Sequence, residues 1–122
     1  MLSDNIHFSR LIYGMWRLVD DKDTSAVHIG KKIALCLDQG LTTFDQADIY
    51  GDYGAEELFG RVIKGDKSLR KKIEIITKCD IIAPCGKFSG EPLKYYNTSK
   101  QHITDSVEAS LRNMNTDYID LL

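Results

Sequence analysis

The feature that most constrains the fold is an alternation of short apolar runs with longer segments of helical period. The apolar runs lie at residues 11–15, 42–46 and 73–76, and each has the length of a strand rather than of a helix. Each run is followed by a segment that has apolar residues three and four positions apart. A loop separates the third run from its segment. This order predicts an α/β fold in which helices wrap a parallel sheet. At 122 residues with 43% hydrophobic content, the chain suffices for one domain with its own core.

The first helical segment lies between the first and second strands. Asp23 or Thr24 can cap it, and Gly40 supplies a stop signal. Its predicted apolar face consists of Val27, Ile33, Ala34 and Leu37.

Two further helices are predicted. The second ends near Gly65, and its apolar positions are Ala55, Leu58, Phe59, Val62 and Ile63. Thr98 or Ser99 can cap the third helix. The apolar stripe of that helix consists of Ile103, Val107, Leu111 and Met114. Residues 118–122 then begin a fourth strand, so the chain comprises three βα units and one bare strand.

Two segments lie outside these elements. The basic run at residues 70–72 is expected to form a solvated loop before the third strand. Residues 79–97 form an irregular segment with two prolines, and loops of that length are usually functional or disordered. Because this segment follows a strand, it would lie on the rim where a parallel barrel keeps its active site. It is either a substrate-side flap or a plain surface loop.

Charge and composition exclude several classes of function. Eighteen acidic and sixteen basic residues give a formal charge of -2, which provides no field to attract nucleic acid or an anionic membrane. The longest apolar run is far too short to span a bilayer, and residues 1–10 lack an apolar signal core. Three cysteines occur without metal-ligand spacing, so reduced thiols and no metal site are expected. We therefore expect a cytoplasmic protein.

An acid, a phenol and an amine lie at the ends of neighbouring strands. Asp45 ends the second strand, Tyr50 lies on the turn that follows, and Lys78 closes the third strand. A phenol titrates near ~10, so by itself it is a reluctant proton donor for carbonyl reduction at neutral pH. An adjacent ammonium would favour the phenolate, and a carboxylate paired with that ammonium would keep it charged and oriented. The sequence thus predicts a relay in which Asp45 and Lys78 tune Tyr50 as a general acid.

Each of these residues also has an ordinary structural explanation. An Asp after a strand is often a turn or cap residue, a Tyr before Gly often anchors a loop, and a Lys after a β-branched run commonly faces solvent. Taken singly, the structural explanations are favoured. The joint pattern favours the catalytic one, since all three side chains lie where one mechanism needs them.

The residues around this set resemble the aldo-keto reductase family. The resemblance extends over nearly the whole chain and is carried by residues 14–16 (Gly-Met-Trp), 44–51 (Phe-Asp-Gln-Ala-Asp-Ile-Tyr-Gly), 56–60 (Glu-Glu-Leu-Phe-Gly), 76–78 (Ile-Thr-Lys), 110–112 (Ser-Leu-Arg) and 117–122 (Asp-Tyr-Ile-Asp-Leu-Leu). It implies the N-terminal half of a (β/α)8 TIM barrel. It also implies an enzyme that transfers a hydride from NADPH to an aldehyde or ketone, with a small carbonyl compound as its substrate.

The same resemblance implies roles for individual residues. Tyr50 is the acid, Asp45 and Lys78 are its tuning partners, and a His orients the carbonyl. That His would follow residues 118–122 and has no counterpart here. The histidines present, expected on the surface or on helices away from the rim, are His7, His28 and His102.

The cofactor site implied by the resemblance is only partly present. Gly14, Met15, Trp16 and Asp45 would lie beside the nicotinamide, and Trp16 would also wall the substrate pocket, unless it is simply a large core or rim aromatic. The family's remaining cofactor contacts come from strands five to eight. The sequence has no Gly-x-Gly-x-x-Gly motif that would indicate an open-sheet dinucleotide site instead.

The resemblance further implies that residues 1–122 are the N-terminal portion of a single barrel domain, truncated at the fourth strand. Such a piece is expected to be inactive by itself and to self-associate through its open sheet edges. A different class of function is a non-catalytic α/β module that binds a partner through those edges. A phosphate-binding α/β domain is disfavoured, because no glycine-rich loop opens any of the predicted helices.

Overall fold

The computed structural model of the protein describes residues 6–122; the first five residues of the polar N-terminal segment lie outside the described residues. Three parallel strands, ordered β1-β2-β3, form the main sheet. They are β1 Ile12–Gly14, β2 Thr43–Asp45 and β3 Glu74–Ile76. Gly14 pairs with Asp45, which in turn pairs with Ile76, so the three strands end level with one another.

Helices and short turns connect these strands. The longer helices are α1 Ala26–Asp38, α3 Ala55–Gly65 and α4 Lys100–Asn113, and the single turn between β2 and α3 is α2 Tyr50–Tyr53. Short 3-10 helices cover Leu18–Asp20, Leu69–Lys72 and Gly86–Phe88. Within residues 6–122, no helix is both long enough and apolar enough to cross a membrane.

The first helix begins later than predicted. Its cap is Ser25, whose hydroxyl accepts a hydrogen bond from the amide of His28. Asp23 instead accepts from the amide of Ser25, so it supports the cap and does not provide it. Gly40 follows the helix end with a φ of +75°, as the stop signal predicted.

The buried face of α1 is also rotated from the predicted one. Ile29, Ile33 and Cys36 are buried, whereas Val27 is 70% exposed. Ala34 is exposed as well. Several apolar residues lie on both sides of this helix, so its sequence supports more than one stripe, and contact with α3 selects the one that is buried.

The predicted face of α3 is confirmed. Ala55, Phe59 and Ile63 are fully buried. They join a core between the sheet and the helices that also contains Ile29, Ile33, Phe44, Ile75 and Met114. The absence of a side chain at Gly60 is required by this packing, because a Cβ there would overlap the backbone carbonyl of Asn113 at the end of α4.

The third long helix, α4, is capped as predicted but buries different residues. The Ser99 hydroxyl accepts a hydrogen bond from the amide of His102. Of the predicted apolar stripe only Met114 is buried, whereas Ser106 and Ser110 face the interior. Ser106 pairs with His102 on the same helix, and Ser110 acts on a buried carboxyl group of α3, described below.

The basic run at residues 70–72 is only partly the solvated loop that was predicted: Lys71 and Lys72 are exposed, but they lie in a 3-10 helix and Arg70 does not face solvent. Arg70 is 6% exposed and its guanidinium donates to the Asp120 carboxylate at 2.7 Å. It also donates to the backbone carbonyls of Ile73 and Tyr118, and lies over the Tyr118 ring. A charge run in the sequence does not reveal which of its members has an acidic partner fifty residues away.

Residues 118–122 lie alongside β3 and form few backbone hydrogen bonds with it. Leu121 forms a parallel bridge with Ile76, and the Thr77 amide donates to the Leu121 carbonyl at 3.1 Å. Residues 118–122 therefore begin a fourth strand at the position predicted, although only one bridge forms. The Asp120 side chain replaces part of the ladder, since it accepts a hydrogen bond from the Ile75 amide.

The segment at residues 79–97 is more ordered than predicted. β4 Ile81–Ile82 and β5 Tyr95–Tyr96 pair antiparallel and form a hairpin. Strands of two residues are too short to show an alternating pattern, so the sequence could not reveal them.

Candidate active site

The ends of β2 and β3 place the predicted relay on one rim. Beyond the last paired residues, the Gln46 amide donates to the Ile76 carbonyl at 2.8 Å, and the Asp48 amide donates to the Lys78 carbonyl at 3.0 Å. These bonds keep the two chain segments side by side past the ends of the strands. Carboxyl ends of parallel strands are where barrels and open α/β sheets carry their sites.

The Asp45 carboxylate lies at the centre of this rim. The Tyr50 hydroxyl donates to its Oδ2 at 3.1 Å, and the Lys78 ammonium donates to its Oδ1 at 2.7 Å. The ammonium also donates to the Gln46 carbonyl at 2.6 Å. All three predicted residues therefore come together, although they are separated by up to 33 positions in the sequence.

The order of contacts differs from the predicted relay. Lys78 was expected to contact the Tyr50 hydroxyl with Asp45 behind it, whereas Asp45 lies between the two. The ammonium is instead 5.0 Å from the centroid of the Tyr50 ring. A carboxylate has two oxygens and can accept from the phenol and the amine at once, which explains the bridging arrangement.

The three polar groups are open to solvent on one side. The Asp45 and Lys78 side chains are 28% and 48% exposed. Trp16 is 64% exposed and stacks on Tyr50, with ring centroids 6.4 Å apart. Burial in the core is therefore excluded for Trp16, whereas a rim aromatic and a wall of the substrate pocket both agree with its position next to the phenol.

A cleft of about 690 Å³ opens beside Tyr50. Its lining includes Trp16, Tyr50, Asp52, Ile81, Cys85 and Lys94. Three of these belong to the hairpin segment, so residues 79–97 do lie next to the predicted acid. This placement favours the flap over the plain surface loop.

The hairpin is held to the Tyr50 turn by Tyr53. The Tyr53 hydroxyl donates to the Ile81 carbonyl at 3.0 Å and accepts from the Ala83 amide at 3.1 Å. Its ring meets Phe88 edge-on at 5.1 Å. Burial raises the pKa of this hydroxyl, the Ala83 amide opposing that effect, so the group remains a neutral donor and acceptor.

The turn after Tyr50 has a left-handed backbone. Gly51, Asp52 and Tyr53 have φ values of +62°, +53° and +69°. The region is accessible to glycine but costs other residues about 1–3 kcal/mol. Gly86 of the hairpin packs so closely on this turn that a Cβ would overlap the Asp52 carbonyl. Two strained residues next to a candidate acid are typical of a functional site.

The predicted cofactor residues lie on the same rim. Gly14 is the last residue of β1 and pairs with Asp45, and the Met15 amide donates to the Asp45 carbonyl at 2.9 Å. Met15 is 1% exposed, so it supports the rim from within the core. A Cβ added at Gly14 would meet no atom within 4 Å, so the backbone there faces open space.

Sequence reasoning missed the buried acids behind the rim. Asp48 and Glu56 are 6% and 1% exposed. Burial raises the pKa of Asp48 to about 6 and also raises that of Glu56. For Glu56 the signal was present, since it lies three and seven residues before Phe59 and Ile63 and therefore shares their buried face.

The histidines lie away from the site, as predicted. His28 is on α1 beside Asp21, His102 is on α4 beside Ser106, and His7 is exposed ahead of β1. In the part of the chain that the structure describes, no three metal-ligating side chains come close enough to hold an ion.

Comparison with known proteins identifies the family. The sequence model described as "Aldo/keto reductase family" matches residues 10–122. The chain is 56% identical over 121 residues to a 6-dehydroglucose reductase of Agrobacterium fabrum, covering 99% of this chain and 41% of that protein. It is 46% identical over 121 residues to the uncharacterized oxidoreductase YcsN of Bacillus subtilis, and the match covers 99% of this chain and 40% of that protein.

The solved structures agree with this result. The holo form of an aldo-keto reductase from Bacillus halodurans superposes with a TM-score of 0.72 at 27% identity, covering 97% of this chain and 36% of that one. An aldo-keto reductase from Klebsiella pneumoniae in complex with NADPH superposes with a TM-score of 0.64 at 28% identity, and the match covers 88% of this chain and 32% of that one. The predicted fold class, part of a (β/α)8 barrel, is confirmed. The chain spans about 40% of the length of the curated relatives it matches, and it belongs to the aldo/keto reductase family.

Proposed function

We propose that the complete protein is an NADPH-dependent carbonyl reductase with Tyr50 as its general acid. The observation that carries the proposal is the Asp45 carboxylate, which binds the Tyr50 phenol and the Lys78 ammonium on its two oxygens at an open rim. A carbonyl oxygen that enters the cleft beside Trp16 would approach the phenol from its accessible side.

Each residue of the rim has a distinct task in this mechanism. When bound, NADPH supplies the hydride that attacks the carbonyl carbon. Tyr50 donates its hydroxyl proton to the carbonyl oxygen, which leaves a phenolate. The Lys78 ammonium, near the ring, stabilises that negative charge, and Asp45 keeps the ammonium in place. A proton from solvent then restores the Tyr50 hydroxyl.

The rim beside Asp45 fits the nicotinamide end of the cofactor. Gly14 presents open backbone there, Met15 supports it from below, and Trp16 offers an exposed flat ring. We assign these three residues and Asp45 to cofactor binding, and Trp16 and Tyr50 to substrate contact. The remaining cofactor contacts would come from outside residues 1–122, which we propose to be the N-terminal portion of one barrel domain.

For the substrate we propose a polyhydroxylated aldehyde. The relative that is 56% identical is named for the reduction of 6-dehydroglucose. The cleft combines the exposed Trp16 ring with the side chains of Asp20, Asp52 and Lys94. Aromatic faces and carboxylates suit the C–H faces and hydroxyl groups of sugars.

The 122-residue chain alone is proposed to be inactive, because about 60% of the length of its relatives would be absent from it. A second candidate function for this isolated chain is self-association. Leu11, Ile12 and Leu122, at or next to the two edges of the sheet, are 68%, 47% and 57% exposed. Edges of this kind pair readily with another chain.

The test is NADPH oxidation by the complete protein with a panel that includes aldehyde sugars. Tyr50→Phe is expected to lower kcat about 100-fold or more, because a positioned general acid contributes 10²–10⁴. The Kd for NADPH, measured by fluorescence titration, stays within about threefold of the wild-type value. Tyr96→Phe, which alters a 66% exposed tyrosine, is the matched control and retains full activity. A wild-type rate indistinguishable from that of Tyr50→Phe would refute the proposal.

A further inference from the structure

A layer of buried polar side chains lies behind the candidate relay, between the sheet and the helices. Its members are Gln46, Glu56, Thr77, Ser106 and Ser110, each at most 4% exposed. Side chains alternate between the two faces of an extended chain. Thr77 therefore lies behind Lys78, and Gln46 lies behind Asp45.

Glu56 is the acceptor at the centre of this layer. The Thr77 hydroxyl donates to its Oε1 at 2.6 Å, and the Ser110 hydroxyl lies near enough to oppose the rise in its pKa. The ion pairs found within residues 6–122 do not include Glu56. Burial raises the pKa of its carboxyl group, an effect that the two hydroxyl groups oppose. Among the described residues, the carboxyl is thus held by the hydrogen bond from Thr77 and not by an ion pair.

This bond joins α3 to the chain at the point where β3 ends. Glu56 lies in the first turn of α3, and Thr77 follows β3 directly. The same stretch of chain is held on its other side, because the Asp48 amide donates to the Lys78 carbonyl at 3.0 Å. The backbone of Lys78 is therefore fixed from both neighbouring elements.

We propose that Glu56 is a positioning residue for Lys78, which it holds through the Thr77 hydroxyl so that the ammonium stays on Asp45 and beside the Tyr50 ring. The proposal rests on the proposed function for its kinetic consequence. A displacement of the ammonium by about 1 Å suffices to lower a rate by roughly 100-fold.

Three variants of the complete protein test this role. Thr77→Val keeps the shape but removes the hydroxyl, and it is expected to lower kcat by about 10- to 100-fold while the Kd for NADPH stays unchanged. Thr77→Ser keeps the donor and Glu56→Gln keeps an acceptor oxygen, so both should remain within about threefold of the wild type. Equal losses in Thr77→Val and Thr77→Ser would overturn the proposal.

A double-mutant cycle with Lys78→Met separates positioning from general stability. If Glu56 acts through Lys78, then Thr77→Val has no further effect on kcat once Lys78 is removed. A loss that persists in the Lys78→Met background shows a merely structural role. Should Thr77→Val fail to fold, Thr77→Ala removes the same hydroxyl and takes its place in the cycle.

A measurement without turnover separates this proposal from the proposed function. In protein with ¹³C-labelled lysine, the side-chain NMR signal of Lys78, assigned with Lys78→Met, should move in Thr77→Val and not in Thr77→Ser. An unmoved signal in both overturns the positioning role even if the protein reduces carbonyls. A moved signal in a protein that oxidises no NADPH refutes the reductase function alone.

Discussion

Among single residues, Asp48 shows most directly what burial costs. Its carboxyl group is 6% exposed, and the oxygen Oδ2 has no hydrogen-bond partner among the described residues. Burial raises its pKa to about 6, and the Asp80 carboxylate adds to the rise; Lys87 and the Ile49 amide oppose it. The folded state therefore retains a proton that the unfolded chain releases near pH 3.8.

We expect this group to make the protein less stable as the pH rises. Between about pH 4 and pH 6 the unfolded state loses the Asp48 proton first, so the free energy of unfolding falls across this window and is then constant. The span corresponds to roughly 3 kcal/mol at most. Asp48→Asn removes the contribution, which denaturant unfolding at a series of pH values would measure.

The difference between wild type and Asp48→Asn isolates this group from the other carboxyl groups. Glu56, whose pKa is also raised, keeps its contribution in both proteins, as do Asp23 and Asp66, whose pKa values are lowered. Parallel curves for the two proteins between pH 4 and pH 6 would contradict the prediction.

At the scale of residues, the sequence predicted the open catalytic rim better than the contacts of buried side chains. Asp45, Tyr50 and Lys78 could be named as catalytic candidates, because they lie at or after the ends of neighbouring strands and the chemistry requires all three together. Arg70 and Asp120 could not be paired, since only the folded chain shows that fifty intervening residues bring them together. Tyr53 gave no signal, because its role depends on a backbone turn that the sequence does not specify.

At the scale of elements, Arg70 holds the final residues against β3. Its guanidinium and the Asp120 carboxylate are 7% and 14% exposed. Arg70→Met leaves that carboxylate buried without its partner, and we expect a loss of about 3–5 kcal/mol in the free energy of unfolding. Lys71→Met is the matched control at an exposed neighbour and should change it by less than about 0.5 kcal/mol. Urea titration would measure both, and similar losses would contradict the assignment.

The hairpin offers a second prediction at this scale. Tyr53→Phe removes the acceptor of the Ala83 amide without altering the ring, so that amide should exchange its hydrogen about fivefold faster, as expected for one hydrogen bond of roughly 1 kcal/mol. Tyr95→Phe is the control, because its hydroxyl makes a solvent-exposed hydrogen bond of 3.2 Å to Glu91. Hydrogen-exchange NMR would show the difference, and equal exchange rates in both variants would rule out the attachment.

The elements themselves were predictable to the extent that they are periodic. Helix α3 was predicted with its end and its face, because five apolar residues agree on one stripe. The predicted face of helix α1 was only partly right: Ile33 is buried and Leu37 packs against the core, but Val27 and Ala34 are exposed. Apolar residues surround this helix, so the contact with α3 decides. The two-residue strands of the hairpin contain too few positions for any pattern to appear.

At the scale of the whole molecule, the open edges of the sheet predict association of the isolated chain. Leu11 and Ile12, at and beside the β1 edge, are exposed. We expect sedimentation velocity to show oligomers that increase with concentration. Ile12→Lys should reduce them, since charge on an edge strand opposes pairing. Leu35 lies on α1 and is 65% exposed, so Leu35→Lys is the matched control. A monomer at all concentrations would contradict the prediction.

The closed barrel was predictable only through the family resemblance. Periodicity indicates parallel strands and helices, but an open sheet and a barrel share that pattern. The register of the strands, with Gly14, Asp45 and Ile76 level, is a tertiary feature that side-chain alternation alone does not determine.

The separate pairing of the hairpin strands has a consequence for divergence among relatives. β4 and β5 bond to each other and not to β1, β2 or β3. The tip at residues 89–94 lies past the contacts that Ala83, Gly86 and Phe88 make with the Tyr50–Tyr53 turn. It can therefore gain, lose or exchange residues while the sheet retains its register and the proton donor keeps its place. Selection for a new ligand can act on this tip without disturbing the chemistry, and a library randomised only there is the economical starting point for redesign.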